Sequence, residues 1–276
     1  MKDNLVNNTK LETLIANCKE GFPIKSLYIL ELPIFNPENG FPFIEDVYGT
    51  LEPCKLIEIA QETSCDILSL KFNIEKTEEI LSAIKLLEKL QKNIKKPLMI
   101  RGTNDDKLDK ILLPELIEIL DRECIISCAT ENNYKEIIPY TAGKHFIVLK
   151  SPIDINLAKE LNILSNDLGQ PLDKIIIDTD IGGLGYGFEY GYSIIEKIRL
   201  EGSNDKFLTM PIISFAGEEA LKTKEGKSKT LTPSWGKYEN RILMLEITAT
   251  SAIRAAGANL IVINHPQTLK TMKGLN

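Results

Sequence analysis

Short apolar runs alternate with longer amphipathic segments along most of the chain. The runs are rich in Ile, Val and Leu and are apolar at nearly every position. This continuous apolar character is typical of strands that are covered on both faces of a parallel sheet. The pattern predicts eight strands, at Ser26–Glu31, Asp66–Lys71, Pro97–Arg101, Cys124–Ala129, His145–Lys150, Lys174–Asp178, Thr209–Ser214 and Asn259–Asn264.

The segments between these strands carry apolar residues at helical spacing. In Lys76–Gln91, Ile80, Ile84 and Leu87 fall on one stripe, with Glu and Lys residues on the opposite face. The same pattern predicts further helices at Leu113–Asp121, Asn132–Thr141, Ile155–Leu168, Ser193–Leu200 and Ile242–Ala256.

Eight strands that alternate with helices over about 250 residues match the parallel (β/α)₈ barrel, or TIM barrel. An open doubly wound sheet shows the same alternation, but the count of eight favours the closed barrel. We expect one barrel domain over residues 1–276, with a helical extension at residues 1–25 that covers the bottom of the barrel and a short closing helix after His265. A long loop at residues 216–241 carries the only tryptophan, Trp235, which either stacks on a ligand or partner or anchors the loop.

The composition argues against several classes of protein. The 276 residues include 33 Lys plus Arg and 39 Asp plus Glu, for a net charge of −6. A nucleic-acid partner is not expected, because proteins that bind nucleic acids carry a basic surface. The sequence shows neither a secretory leader nor a run of about 20 apolar residues. We therefore expect a cytoplasmic protein without membrane contact.

Five cysteines are scattered along the chain without a C-x-x-C pair. Cys124 and Cys128 lie four residues apart in one predicted strand, where side-chain alternation would point them to the same side. A metal-binding pair is one interpretation, and two buried thiols are the one that we favour. We expect no iron–sulfur cluster on this chain.

In a (β/α)₈ barrel the reactive groups lie at the C-terminal ends of the strands. The residues that follow the predicted strands are mostly neutral hydrogen-bonding groups. The two histidines are His145, at the start of strand five, and His265, at the end of strand eight. A Ser-His-Asp or metal-His site therefore lacks its usual parts. Polar residues at these ends include Asn73, Asp105, Ser151, Asp154, Asp180 and Asn264.

A glycine-rich segment, Asp178–Tyr192, follows the sixth predicted strand. Glycines let a bulky ligand approach the main chain, because they lack a Cβ atom. The spacing fits neither G-x-G-x-x-G nor the P-loop, so the segment favours a flat, amide-decorated ligand over a phosphate. An unusual turn that serves only the fold is the alternative.

Several of these segments resemble a known protein family. Ser151–Leu200, Ala129–Tyr134, Met210–Ile213 and Ala256–Pro266 are similar to the small (delta) subunit of the corrinoid iron–sulfur protein of the acetyl-CoA synthase/carbon monoxide dehydrogenase system. The resemblance implies a (β/α)₈ barrel that pairs with a large subunit carrying an iron–sulfur cluster and a cobalamin-binding domain. The corrinoid would lie between that domain and the barrel mouth.

The resemblance also implies a place in methyl transfer. The corrinoid takes a methyl group from methyltetrahydrofolate bound to a separate methyltransferase and delivers it to acetyl-CoA synthase. Because the cofactor performs the chemistry, we expect no catalytic residue here and no complete enzyme in this chain alone. The resemblance and the residue types together predict corrinoid contacts from Thr103, Asn104, Thr130, Glu131, Asn132, Asp178, Thr179, Gly182, Gly183, Gly185, Tyr186, Gly187, Ser214 and His265.

Two alternatives to this function remain open. One is a self-sufficient pterin-binding methyltransferase, in which Asp178 and Asn104 form hydrogen bonds with the pterin. The other is a non-catalytic paralogous scaffold that keeps the barrel without the cofactor surface.

Overall fold

The strands form one closed parallel barrel. The computed structural model describes residues 5–19 and 25–275. Its strands are β1 (Leu27–Phe35), β2 (Ile67–Phe72), β3 (Leu98–Arg101), β4 (Ile125–Ala129), β5 (Phe146–Lys150), β6 (Ile175–Asp178), β7 (Ile212–Ser214) and β8 (Leu260–Ile263). Each strand pairs in parallel with the next, and β8 pairs with β1. The predicted (β/α)₈ barrel is confirmed, and an open sheet is excluded.

Helices connect the strands and surround the barrel. They are α1 (Leu5–Lys19), α2 (Pro37–Gly40), α3 (Ile44–Tyr48), α4 (Pro53–Gln61), α5 (Ile80–Leu90), α6 (Asp106–Glu118), α7 (Tyr134–Thr141), α8 (Ile155–Asp167), α9 (Phe188–Glu201), α10 (Ala216–Lys222), α11 (Lys224–Lys227), α12 (Tyr238–Ala256) and α13 (Pro266–Gly274). Short 3₁₀ turns lie at Thr77–Glu79, Gln91–Asn93, Leu172–Lys174, Lys206–Leu208 and Pro233–Trp235. None of the helices in the described part of the chain combines the length and apolar character that crossing a bilayer requires.

Four elements extend beyond their predicted bounds. Two of them are α9 and α12, which begin at Phe188 and Tyr238 instead of Ser193 and Ile242. The other two are β1 and α6. β1 continues past its predicted end at Glu31, because most of the positions that follow are again buried. α6 begins earlier than its predicted start at Leu113. The Asp105 carboxylate accepts hydrogen bonds from the backbone N–H groups of Lys107 and Leu108, and this cap starts the helix on a polar first turn that carries little apolar signal.

The segment at residues 216–241 is not the plain loop that the sequence predicts. It contains α10, α11, a 3₁₀ turn and the start of α12. The Thr223 hydroxyl accepts a hydrogen bond from Gly226 N–H at 2.9 Å and caps α11. The Tyr238 hydroxyl donates to the Gly226 carbonyl oxygen at 2.8 Å. These local contacts fold the segment into one wall of the barrel mouth.

Apolar side chains form two layers, one between the barrel and its helices and one inside the barrel. The inner layer contains inward-facing residues of the strands, such as Ile29 and Met99. Leu11, Ile15 and Cys18 of α1 belong to the same inner cluster. α1 therefore packs into the N-terminal end of the barrel and closes it with apolar surface.

Cys124 and Cys128 lie on different sides of the barrel wall. The pairing of β4 with β5 shifts register between Ser127 and Ala129, and this irregularity breaks the alternation of side chains. Cys124 packs in the outer layer and Cys128 in the inner one. The prediction that the two thiols share a side is wrong. Among the described residues, no group of three or more His, Cys, Asp and Glu side chains could hold a metal ion.

Candidate functional site at the C-terminal face

Backbone strain marks the C-terminal face of the barrel. In the described residues, the non-glycine positions with positive φ are Asn36 (48°), Asn104 (71°), Ile153 (49°) and Asp180 (50°), in the loops after β1, β3, β5 and β6. A left-handed conformation costs an L-residue roughly 1–2 kcal/mol, and such strain clusters at functional sites. Ile153 is the most unfavourable case, because its side chain is β-branched. The strain therefore points to the face where barrel topology places function.

A largely buried network of ion pairs crosses the mouth. Nη1 of Arg101 lies 2.8 Å from Oε1 of Glu31, and Nη2 lies 2.5 Å from Oε2 of Glu218 on α10. The Nζ atoms of Lys71 and Lys222 lie 3.0 and 2.6 Å from the Glu218 carboxylate. Burial alone would raise the pKa of Glu218, but the three neighbouring cations hold it well below its usual range. The network ties three strands to α10.

The mouth is therefore more highly charged than the sequence analysis predicts. The predicted site residues do not include Glu31, Lys71, Arg101 and Lys150, although they include Asp178 and Ser214, which also end predicted strands. A signal was available, since each of them is the last residue of a predicted strand that is otherwise mostly apolar. Glu218 was missed because it lies in the segment that the sequence predicts as a loop.

A second charged group lies at the ends of β5 and β6. Asp178 is 3% exposed, and its Oδ1 accepts a hydrogen bond from Asp180 N–H at 2.9 Å. Nζ of Lys150 lies 3.1 Å from Oδ2 of Asp180. Burial raises the pKa of Asp178 to about 7, although the charge of Lys150 opposes the shift. A pKa in this range means that the Asp178 carboxyl group ionises near neutral pH.

Asn104 separates two cavities on this face, of about 600 Å³ and about 240 Å³. The larger cavity lies between the loops after β1, β2 and β3 and the α10–α12 wall, and the smaller one lies between the loops after β3, β4 and β5. Asn104 donates from its backbone N–H to Asp109 at 2.9 Å and from Nδ2 to Glu218 at 3.1 Å. Its Oδ1 accepts from Arg101 at 3.3 Å. The partition between the cavities is therefore held by the ion-pair network.

The predicted site residues divide between the cavity walls and the barrel interior. Thr103 lines the larger cavity, and Thr130, Glu131 and Asn132 line the smaller one. The other predicted polar residues of the strand ends lie deeper: Asp178, Thr179 and Ser214 are 3%, 0% and 1% exposed. The hydroxyls of Thr179 and Ser214 have no hydrogen-bond partner among the described residues.

The glycine-rich segment is shaped mainly by its own packing. A Cβ atom on Gly182 would lie 2.5 Å from a carbonyl oxygen of the same loop, and one on Gly183 would lie 2.4 Å from Cγ2 of Thr223. Gly185 and Gly187 have φ values of 80° and 91°. Among the glycines of this loop from 182 to 187, Gly185 is the one at which a Cβ atom would meet no other atom within 4 Å. The glycines therefore allow the loop to pack against the α10–α11 wall. This packing favours the alternative interpretation of the segment, a turn that serves the fold.

Three large side chains are exposed in the loops after neighbouring strands β5, β6 and β7. Ile153, Tyr186 and Trp235 are 43%, 52% and 49% exposed. Half of the Trp235 surface thus remains available for contact, although the residue belongs to a 3₁₀ turn. Exposed large apolar groups on a surface favour contact with a partner or a large ligand.

His265 is engaged by the fold at the start of α13. Its Nδ1 accepts a hydrogen bond from Gln267 N–H at 3.0 Å, which makes it the helix cap. Its ring packs edge-on against Phe41 at a centroid distance of 6.3 Å. Burial lowers the pKa of His265, so the ring is neutral at neutral pH.

The sequence of this chain matches a described protein family. Residues 43–254 match the family of the CO dehydrogenase/acetyl-CoA synthase delta subunit. The acetyl-CoA decarbonylase/synthase complex subunit delta of Methanocaldococcus jannaschii is 26% identical over 261 residues, which are 91% of this chain and 63% of that protein. Subunit delta 1 of the same complex from Methanosarcina thermophila is 30% identical over 200 residues, which are 69% of this chain and 46% of that protein. The chain thus spans between 46% and 63% of the length of these relatives.

Solved structures share the barrel fold. A dihydropteroate synthase of Xanthomonas albilineans has a TM-score of 0.60 and 11% identity, and the match covers 91% of this chain and 92% of that one. The dihydropteroate synthase of Thermus thermophilus gives a TM-score of 0.56 and 13% identity, over 91% and 93% of the two chains. At this identity the likeness shows the fold alone. The match over residues 43–254 covers most of the chain and agrees with the resemblance in Ser151–Leu200, and on that evidence the chain belongs to the CO dehydrogenase/acetyl-CoA synthase delta subunit family.

Proposed function

We propose that this chain is the barrel subunit of a cytoplasmic corrinoid methyl carrier and that its C-terminal face covers a cobalamin held by a large iron–sulfur and corrinoid-binding subunit. Its family and the names of its relatives support a place in an acetyl-CoA decarbonylase/synthase complex. The further partners in this proposal are acetyl-CoA synthase and the methyltransferase that supplies the methyl group from methyltetrahydrofolate.

The shape of the C-terminal face carries the proposal. The ion-pair network around Arg101 fills the barrel below the mouth, so a large ligand would lie over the rim rather than enter the barrel. The two cavities, at about 600 and 240 Å³, are too small to enclose a corrinoid with its side chains. A cofactor shared with another subunit is the arrangement that such a rim supports.

The groups on the rim fit the periphery of a corrinoid. That periphery is rich in neutral amides, which need both donors and acceptors. Thr130 and Asn132 at the smaller cavity offer both kinds of group, and Asn132 Nδ2 already donates to Asp106 at 2.8 Å, which fixes its orientation. Ile153 and Tyr186 would cover apolar parts of the cofactor or of the large subunit and exclude water. When it is bound, the cobalt supplies the methyl-transfer chemistry.

The pterin-binding alternative requires the side chains of Asp178 and Asn104 to face a ligand. Asp178 accepts a hydrogen bond from Asp180 N–H and is 3% exposed. The Asn104 side chain bonds with Arg101 and Glu218. The internal contacts of both residues speak against this role, and the likeness to dihydropteroate synthases adds only the fold.

Co-purification with the large subunit tests the proposal. We expect the complex to show the visible absorption bands of a corrinoid. Ile153→Asp should lower the ratio of corrinoid to protein by about half or more, because it places a carboxylate against apolar surface. Asp adopts positive φ more readily than Ile, so this variant adds no backbone strain. Leu81→Asp is the matched control, because Leu81 is 60% exposed on α5 outside the barrel mouth.

Three outcomes would contradict the proposal. A colourless complex, or no complex, would favour the scaffold alternative. Methylation of free cobalamin from methyltetrahydrofolate by the isolated chain would favour the pterin-binding methyltransferase. Equal corrinoid loss in the Ile153 and Leu81 variants would remove the C-terminal face from the site.

A further inference from the structure

The larger cavity at the mouth is lined by an excess of positive charge. Lys71, Lys222, Lys227 and Lys229 line it, whereas Glu218 is the one acidic side chain among its described lining residues. This contrasts with the net charge of −6 of the chain. A cavity with such a lining attracts anions.

Only part of this positive charge is neutralised by neighbouring carboxylates. Lys71 and Lys222 belong to the ion-pair network, and Lys222 also lies 2.7 Å from Glu219. Lys227 and Lys229 form no ion pair with the residues that the structure describes, and both are exposed. Two cationic groups at the cavity wall therefore remain available to a ligand.

A buried hydrogen-bond donor lies in the same cavity. Nδ2 of Asn73 is buried and has no acceptor among the described residues, although Asn73 lines the cavity. A buried donor without an acceptor lowers stability, and a ligand oxygen would satisfy it. A Cβ atom on Gly40 would lie 2.8 Å from this nitrogen and 2.6 Å from Cβ of Pro33, so the close packing of the main chain against the amide requires glycine at that position.

The cavity also has an apolar wall, formed by Pro42, Leu221 and Tyr238. The Tyr238 ring packs against Phe43 at a centroid distance of 4.7 Å, and its hydroxyl bonds to the Gly226 carbonyl oxygen. The ring is thus held in place before any ligand binds. A fixed aromatic wall beside lysines suits a molecule that is apolar at one end and anionic at the other.

We propose that this cavity binds a small molecule in which a ring or similar apolar body carries a dianionic group, either a phosphate monoester or a pair of carboxylates. Lys227 and Lys229 neutralise the two negative charges, and Asn73 donates a hydrogen bond to one of the oxygens. The apolar body packs against Tyr238. The volume of about 600 Å³ suits such a ligand. The cavity opens on the C-terminal face that the corrinoid would cover, and two of the predicted corrinoid contacts, Thr103 and Asn104, line it. Anion binding is therefore tested on the isolated chain.

The isolated full chain can be tested directly with defined probes. Phenyl phosphate represents the phosphate monoester, phthalate the dicarboxylate, and benzyl alcohol the neutral control. Calorimetric titration should show saturable binding of at least one anion with a Kd of about 1 mM or lower, and none of benzyl alcohol. Trp235, in the segment between Lys229 and Tyr238, gives a second readout by fluorescence. The anion that binds more tightly shows whether the cavity takes a phosphate monoester or a pair of carboxylates.

Variants connect the binding to the named residues. Lys227→Gln with Lys229→Gln should weaken anion binding about tenfold or more, because charge-assisted hydrogen bonds are lost. Asn73→Ala should weaken anion binding about threefold to tenfold. The Tm should not fall, because Nδ2 has no acceptor among the described residues and the variant loses no hydrogen bond from it. Lys85→Gln with Lys89→Gln is the matched control on the exposed face of α5 and should bind like the unchanged chain.

The proposal is overturned if neither anion binds saturably, or if the Lys227 and Lys229 double variant binds as the unchanged chain does. It is also overturned if the Lys85 and Lys89 double variant loses affinity equally, because the effect would then reflect net charge. Each result leaves the corrinoid test unaffected, since that test measures absorbance of the complex with the large subunit.

Discussion

The two ends of the barrel are built from opposite kinds of side chain. At the N-terminal end, Leu11 and Ile15 of α1 are each 1% exposed and pack on the apolar barrel interior. At the C-terminal end, Arg101 is 3% exposed and is held between Glu31 and Glu218. Apolar burial stabilises the fold in proportion to area, whereas buried charges stabilise it only when every partner is present. The end that carries the proposed ligand surface is therefore the end most sensitive to the loss of one partner.

The largest predicted effect comes from removing the central cation of the mouth. Arg101→Leu should lower the free energy of unfolding by about 3–5 kcal/mol, because it leaves Glu31 buried without its cation and deprives Glu218 of one of three. Urea denaturation followed by circular dichroism measures the change.

A double variant tests whether the lost stability is due to an unpaired buried charge. Arg101→Leu combined with Glu31→Leu should recover much of the lost stability, because the unpaired carboxylate is removed together with its cation. If the double variant is as unstable as the sum of the two single variants, the arginine acts through its shape and its contact with the Phe215 ring, 4.0 Å away, rather than through charge.

At the N-terminal end of the barrel, we expect a loss of stability that comes from apolar area alone. Ile15→Ala should lower the free energy of unfolding by about 2–4 kcal/mol, because it leaves a cavity between α1 and the barrel interior. Asn17→Ala, on the exposed side of α1, is the control and should change stability by less than about 0.5 kcal/mol. Equal effects in the two variants would mean that α1 does not contribute to the core. Anion binding at the mouth should be unchanged in both.

The fold could be predicted because its strands are covered on both faces. The strand Ile175–Asp178 is buried at every position, and its first three residues form a continuous apolar run in the sequence. Helix starts that depend on a single side chain were harder to place, as at Asp105, whose cap begins α6 in a polar segment. Closure of the barrel followed from the number of strands alone.

The candidate site could be predicted only in part, because much of it depends on contacts between distant elements. Asn104 was found because it follows a strand, but its role as a partition requires Glu218 from the opposite side of the mouth. Gly183 was found as a glycine, yet the close approach that requires it involves Thr223 on another segment. Local patterns indicate which residues are unusual, whereas barrel closure determines what they contact.

The two ends should also respond to pH in opposite directions. Burial raises the pKa of Asp178 at the mouth from 3.8 to about 7. Its contribution to stability is therefore fully present below the unfolded pKa and is lost as the pH rises toward 7. Burial, with the charges of Lys144 and Lys174, lowers the pKa of His145 at the bottom from 6.5 to about 4. Its contribution is present above pH 6.5 and is lost as the pH falls toward 4.

Two amide variants separate these opposite contributions. Relative to the unchanged chain, Asp178→Asn should gain about 1–3 kcal/mol of unfolding free energy between pH 5 and pH 8, because the variant no longer ionises a buried carboxyl. The unchanged chain becomes more stable from pH 5 to pH 8, because burial keeps His145 neutral at a pH where the unfolded chain binds a proton there. His145→Asn lacks this gain and should therefore lose about 1–2 kcal/mol of unfolding free energy over the same interval relative to the unchanged chain. Glu246, whose pKa burial raises to about 7, is present in all three proteins, so its contribution cancels in the differences. Urea denaturation at the two pH values measures both changes. Differences of the same sign would show that the two ends do not differ in how burial affects their ionisable groups.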